Sequence, residues 1–403
     1  MPPRKRGRKD EGAATAAPPE VGRDHISALP DDALQHILSS LPAQDAVRTC
    51  ALARRWRHLW KFTKDLHMTT PDSIEEIREF VDHLLLLRAG LPIDTFELGA
   101  GDGLSEDDIP LVNLWIRHAV AYKVQVLQLE IFGRWTWLKL KNLHLVFASQ
   151  HLTRLEFANI RFNDSFFNFS SCLALQDLRI RMCELMHAKR ISSYIHAPNL
   201  ASLWLDEAFE RAAVLERMPS LVEAVVTIHV FCSNSCSRTT SGSCDDLDCQ
   251  GCHDIEEDDT CVLLQGLSIA KNLALVALSN TFIFRRDLKW CPTFSNLRTS
   301  LLNEYWCVPA DFSALECILE HSPVLEKLTL QLFCKGPKSK VEIKGIPDPI
   351  ERSAAISEHL RIVEVKCEVV DETVLNVLKF LNKFNINKLR LHYSHSLYFC
   401  NLL

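Results

Sequence analysis

The 403-residue sequence predicts an α/β chain in which a small unit of three helices at the N-terminus leads into an irregular repeat solenoid. Three observations carry this. Residues 23–63 hold apolar side chains at helical spacing, punctuated by prolines. Residues 64–122 continue with helical stripes, as a linker or N-terminal cap. From 123 to 403 one short apolar motif returns about every 21–28 residues, with two wider gaps.

The bulk composition sets the class. Hydrophobic residues make up 47% and charged residues 24%, with a net charge of −6, the balance of an ordinary globular protein. That charge argues against bulk electrostatic binding to nucleic acid or to an anionic membrane. No stretch approaches the ~20 apolar residues of a bilayer span. The densest run, Leu84 to Leu87, is closed by His83 and Arg88. The basic start MPPRKRGRKDEG has no apolar segment behind it, so the expected location is the nucleus or the cytoplasm. Fifteen cysteines, an odd number, then read as thiols. Cys50, Cys172, Cys183, Cys317 and Cys367 fall inside apolar patterns, where a thiol acts as a small hydrophobe.

Residues 1–22 are Ala, Pro, Gly and charge without periodicity. Such a segment buries too little to offset its ordering entropy and is expected to be a disordered basic tail. Its run Arg4-Lys5-Arg6-Gly7-Arg8-Lys9 reads as solvated charge, with a nuclear-import signal or a minor-groove arm as alternatives.

At 23–63 the text changes. Pro30 precedes Asp31 and Asp32, an acidic first turn that suits a helix N-terminus. Leu34, Ile37, Leu38 and Leu41 follow on one face, and Pro42 stops the helix. A second helix carries Ala46, Val47, Cys50 and Ala51, and a third carries Trp56, Leu59 and Trp60. A unit this small is at the lower limit for folding alone. Leu29 and the two tryptophans are expected to stay exposed, which implies a partner.

The text LPDD-x-L-x-x-ILS-x-LP, then DAVRTCAL, then RRWRHLW, closely resembles the F-box of plant F-box proteins over about 38 consecutive positions. The resemblance implies binding to a Skp-type adaptor and, through it, to a cullin. It places adaptor contacts at Leu29, Pro30, Leu34, Ile37, Leu38, Leu41, Pro42, Val47, Leu52, Trp56, Leu59 and Trp60. Which of these face the adaptor and which the core is left open.

In 64–122, Ile74, Ile77, Phe80, Val81, Leu84 and Leu85 form one helical stripe, and Leu111, Leu114, Trp115 and His118 another. Gly99 to Asp108 reads as a turn region.

The motif apolar-x-x-apolar-x-apolar then recurs. It is read at Val124/Leu127/Leu129, Leu152/Leu155/Phe157, Leu175/Leu178/Ile180, Leu200/Leu203/Leu205 and Leu221/Ala224/Val226. It resumes at Leu273/Val276/Leu278, Leu297/Ser300/Leu302, Leu325/Leu328/Leu330, Leu360/Val363/Val365 and Ile386/Leu389/Leu391. The interval of about 21–28 residues, with wider gaps near 52 and 35, is the period of a leucine-rich repeat. Each repeat offers a short strand whose alternate apolar residues its neighbours must cover. The Asn or Cys that often closes each turn is mostly missing, and Ser300 occupies an apolar slot. Within 310–403, Phe312 to Leu330, above all HSPVLEKLTL, resembles the plant FBD domain.

The insertion 232–261 is Cys-rich and acidic. Cys232, Cys236, Cys249 and Cys252 have spacings that a tetrahedral zinc site tolerates. The surrounding Asp, Glu, Ser and Gly favour a solvated loop instead, so no cofactor or metal is expected. Enzyme signatures fail: there is no Gly-x-x-x-x-Gly-Lys-Ser/Thr loop, no Gly-x-Ser-x-Gly elbow and no His-Glu-x-x-His. The expectation is a non-catalytic substrate receptor of a ubiquitin ligase. Its repeats would present a concave, strand-lined surface to an unknown target protein through Gln128, Glu130, Arg154, Glu156, Asp177, Arg179, Ser202, Trp204 and Lys327. Trp204 is an anchor if it faces outward and ordinary core if it faces inward. The alternatives are a repeat protein that binds without degrading, or a nuclear nucleic-acid-associated protein using the basic tail.

Overall fold

The computed structural model describes residues 26–393 apart from 71–74, 102–105, 133–137, 141–145, 163–165, 186–193, 207–212, 229–262, 278–282, 308–311, 334–357 and the single positions 27, 89, 147, 289, 385 and 387. The basic tail, Ile74, the cysteines at 232, 236, 249 and 252, and Leu278 lie outside the described residues.

Pro30 sits at the N-cap of helix α1 (Asp31–Ser39), with Asp31 and Asp32 in its first turn. There the carboxylates meet the positive end of the helix dipole. Pro42 opens α2 (Ala43–Arg48), which tightens into a 3-10 turn at Thr49–Ala51. The third predicted helix is a 3-10 helix, Arg54–Phe62. Its three-residue turn stacks Trp56 directly over Leu59, and both are buried.

The expected exposure of the tryptophans is not what the fold shows. Trp56 packs with Leu34, Leu38, Ala46 and Leu59, and Leu29 and Leu41 lie against that cluster. Trp60 belongs with Ala43 to the large core of the repeats. The solenoid supplies the missing cover. Pro42 bridges to His67 in the first strand, and Ser39 Oγ accepts the Lys64 N–H at 3.2 Å. On α1 the stripe is narrower than its spacing suggests, because Ile37 is 44% exposed. Cys50 is exposed rather than core, while Cys172, Cys183 and Cys367 are buried.

A twelve-stranded sheet follows, with every strand parallel to its neighbours and strand order equal to chain order. Its strands are β1 (Asp65–Thr70), β2 (Thr95–Ala100), β3 (Val126–Ile131), β4 (Arg154–Ala158), β5 (Asp177–Arg181) and β6 (Ser202–Asp206). They continue as β7 (Glu223–Ile228), β8 (Asn272–Ala277), β9 (Thr299–Asn303), β10 (Lys327–Leu332), β11 (Ile362–Cys367) and β12 (Lys388–Tyr393). The helices between them are α3 (Glu75–Leu87), α4 (Ile109–Ala121), α5 (Leu264–Leu267), α6 (Ile283–Leu288), α7 (Ser313–Glu320) and α8 (Glu372–Leu381). This is a small helical unit joined to a leucine-rich-repeat-like α/β solenoid.

The motif's apolar positions from Val124 to Val226, and again from Leu325 to Val365, are buried. One register differs from the expectation. Leu273 pairs with Ala224, and Leu275 with Val226, so the eighth strand's triplet is Ala270/Leu273/Leu275 rather than Leu273/Val276/Leu278. The run Leu273-Ala-Leu-Val-Ala is apolar on both faces, and a pattern without alternation cannot fix a register.

The segment 64–122 contributes two full strands beside its helices. Thr63/Leu66/Met68 and Ile93/Phe96/Leu98 occupy the same buried slots as the later triplets. Gly99 is therefore strand, not turn. A Cβ there would come within 2.6 Å of the exposed Phe132 ring, which would have to move aside. On α4 the buried face is Val112, Trp115, Ile116 and Ala119, and Leu114 points to solvent. At the far end Leu389 of β12 is 40% exposed.

Candidate docking surfaces

The twelve F-box-like positions divide into two sets. Leu34, Leu38, Trp56, Leu59 and Trp60 are core, and Leu29, Leu41 and Val47 pack on it from half-buried positions. Pro30, Ile37, Pro42 and Leu52 are exposed, Leu52 at 72%. Ile26 and Phe62 are also exposed; sequence reasoning missed both, since neither falls on a helical stripe. The unit is braced by Arg55. Its Nε and Nη2 donate to Asp31 Oδ1 at 2.9 and 2.6 Å, and Nη2 also donates to the Leu29 carbonyl. Apolar side chains are thus held out in water on a framework whose own core is filled.

The second surface is the sheet face opposite the core. Strand alternation sends every other residue there, and the parallel register lines them up. One row runs His67, Glu97, Gln128, Glu156, Arg179, Trp204, Val225, Ala274, Leu301, Thr329, Glu364 and Arg390. All nine expected target-contact residues fall on this face. Gln128, Glu156, Arg179 and Trp204 are in that row, while Arg154, Asp177, Ser202 and Lys327 share the row before it and Glu130 lies in the row after.

Asp177 departs from the expectation of exposure. It is buried, held by Arg154 Nε at 2.7 Å and Arg179 Nε at 3.2 Å. Other charges on the face are also partnered. Arg181 reaches Glu156 at 2.7 Å and Glu130 at 3.5 Å. Lys327 Nζ lies 2.9 Å from Glu364, whose carboxyl is held below its ordinary value by the Lys327 hydrogen bond, against the desolvation of burial.

Trp204 faces this row rather than the core. It is half-buried, with the Arg179 guanidinium 5.6 Å from its ring centroid. Val225, itself buried, and the half-buried Ala274 and Leu301 continue an apolar middle. The motif could have revealed them, since each fills the single position between its strand's two inward residues. Beyond them Lys327, Lys366, Lys388 and Arg390 outnumber Glu364 on the outward positions of the last three strands.

A third arrangement sits behind the sheet. Cys291 follows α6, Cys317 lies in α7 and His321 caps it; one ligand atom from each lies within 4.8 Å of the others. The Cys317 thiol is lowered by its hydrogen bond with Cys291, against burial and the Glu320 carboxylate. Three buried cysteines behave as core: burial pushes Cys172 up to about 11 and raises Cys307 and Cys367. No helix among the described residues is long and apolar enough to cross a membrane.

Residues 26–66 match the F-box domain model. An F-box/LRR-repeat protein of Arabidopsis thaliana is 36% identical over 118 residues, covering 27% of this chain and 30% of that protein. An FBD-associated F-box protein of the same plant is 37% identical over 141 residues, 30% of this chain and 33% of the other. An Arabidopsis F-box/FBD/LRR-repeat protein is 30% identical over 219 residues, 47% and 51% respectively. The matched part thus spans about a third to a half of these relatives.

Proposed function

We propose, from the F-box domain this chain carries and its distant homology to the F-box/LRR and FBD-associated F-box proteins of Arabidopsis, that it is a substrate receptor of a Skp–cullin–F-box ubiquitin ligase. The observation that carries this is the division of the F-box residues. The helical unit fills its core with Leu34, Leu38, Trp56 and Leu59 and still leaves Pro30, Ile37, Pro42 and Leu52 exposed. Exposed apolar residues at family positions suit an adaptor contact. We assign that contact to these four together with Leu29, and assign Leu34, Leu38, Trp56, Leu59 and Trp60 to supporting it.

The target protein would dock on the outward sheet face, with Trp204 as an aromatic anchor. The chain does no chemistry in this reading. It holds a target's lysine near a conjugating enzyme and so raises the effective concentration of the reacting pair.

The test is co-purification of the full chain with a plant Skp-type adaptor. Wild type is expected to bind. The variant Ile37→Asp/Leu52→Asp is expected to bind at least about tenfold more weakly while keeping its circular dichroism and melting point, since exposed sites usually move stability by about 0.5 kcal/mol or less. Failure of wild type to bind would remove the ligase reading. Undiminished binding by the variant would move the contact to another face.

A further inference from the structure

We propose that Cys291, Cys317 and His321 form a binding site for a thiophilic divalent cation of the zinc class, with one coordination position left for solvent or an incoming ligand. All three residues lie outside the insertion 232–261, and the inference is independent of the ligase reading.

The geometry is the first argument. One ligand atom from each residue lies within 4.8 Å of the others, and Cys317 Sγ is 3.8 Å from His321 Nδ1. Zinc bonds of about 2.3 Å to sulfur and about 2.0–2.1 Å to nitrogen set the edges of a tetrahedron at roughly 3.5–3.8 Å. Cys317 and His321 therefore already stand at about the required spacing, with Cys291 inside 4.8 Å of both. Two thiolates and an imidazole are also the donor set that zinc selects over the hard cations.

The frame is the second argument. Cys317 and His321 are four residues apart along α7 and its cap, so they project to one side. The loop carrying Cys291 is tied to the same helix end, because the Phe294 N–H donates to the His321 carbonyl at 2.8 Å. Its other end is anchored by the Cys291 N–H on the Leu288 carbonyl at 3.4 Å. Backbone bonds thus place the third ligand without help from an ion. All three residues are half-buried, open enough for an ion to enter and sheltered enough to retain it. The Glu320 carboxylate adds negative potential beside Cys317.

Ligation has a definite balance. Each thiol gives up its proton to solvent as its Sγ–metal bond forms. His321 Nδ1 now donates to the Cys317 carbonyl at 2.8 Å. Metal binding at that nitrogen exchanges this hydrogen bond for a metal bond and leaves the ring proton on Nε2.

The experiment uses the full chain with Cys232, Cys236, Cys244, Cys249, Cys252 and Cys261 replaced by Ser, titrated with cobalt(II) and then zinc. The expected result is one equivalent of cobalt with a sulfur-to-cobalt charge-transfer band that zinc abolishes. Cys291→Ser and Cys317→Ser each lose most of the band. His321→Gln, a milder change at a helix end, weakens cobalt binding by more than about tenfold, the lower bound for outer-shell losses. A background chain without the band would overturn the site. So would a band that survives Cys291→Ser/Cys317→Ser, or a His321→Gln variant that binds as tightly as its parent.

Discussion

The guanidinium of Arg88 donates through Nη1 to the backbone carbonyl of Thr63, joining the end of α3 to the residue that closes the F-box unit. The same nitrogen reaches Thr63 Oγ1 at 3.3 Å, and Nη2 donates to the Pro92 carbonyl at 3.2 Å. Arg88 is buried, and desolvation brings its pKa down to about 10, opposed by Asp65. A cation kept in such a place holds the segments around it. Arg88→Ala is expected to cost about 1–3 kcal/mol, since the buried Thr63 carbonyl loses its donor. Urea unfolding checks this. A loss below roughly 1 kcal/mol, the range of surface ion pairs, would mean the junction is held by packing alone.

The end of β8 depends on Asn303. Its Oδ1 accepts the Ala277 N–H at 3.2 Å, and its Nδ2 donates to the Ala277 carbonyl at 2.7 Å, with both residues buried. One side chain thus satisfies both backbone groups at the end of β8. Asn303→Ala is expected to lose about 2–4 kcal/mol, because each orphaned buried group costs about 1–3 kcal/mol. Asn303→Asp sets a buried carboxylate oxygen against the Ala277 carbonyl, so at neutral pH its melting temperature should be no higher than that of the alanine variant.

Glu364 gives a pH signature. Its folded-state pKa lies below the ordinary 4.5, first through the Lys327 hydrogen bond and then through the Lys327, His392 and Arg390 charges, with burial opposing. A depressed carboxylate contributes stability that is fully present above its unfolded value and is lost as pH falls through its folded value. Wild type should therefore be more stable than Glu364→Gln, by about 1 kcal/mol or less, from neutral pH to about pH 5. The gap should close below the ordinary value of 4.5. A gap that persists in acid would assign the effect to packing rather than charge.

What the sequence shows of this protein is mostly what burial writes into it. Leu155 and Leu178 announce their strands because each alternates with charged neighbours, and their buried positions follow. β8 is harder, since its apolar outward residues erase the alternation that sets register. β1 and β2 carry the same motif at Leu66/Met68 and Phe96/Leu98 but were hidden by the long helices α3 and α4 that follow them. The division between Ile37 and Leu38 could not be read at all: both are apolar neighbours on one helix, and only the packing of Trp56 against Leu38 separates them. The Cys291–Cys317–His321 cluster escaped for another reason, because its first thiol lies 26 residues from the second and no local spacing links them.

Ser300 is the place where the repeat pattern and the residue disagree. It is buried in a slot flanked in register by Leu273 and Leu328, and its Oγ has no hydrogen-bond partner among the described residues. A buried hydroxyl without a partner costs about 1–3 kcal/mol relative to an apolar group of similar size. Ser300→Ala should therefore raise stability by about 1 kcal/mol, seen as a higher denaturant midpoint at unchanged slope. Ser300→Leu restores the motif's usual residue but adds volume to a packed core, and overpacking costs about 1–3 kcal/mol. The order expected is alanine above wild type, with leucine no better than wild type. Destabilisation by alanine of more than roughly 0.5 kcal/mol, beyond the scatter of neutral substitutions, would show that the hydroxyl is bonded in solution and that the serine is there to bond.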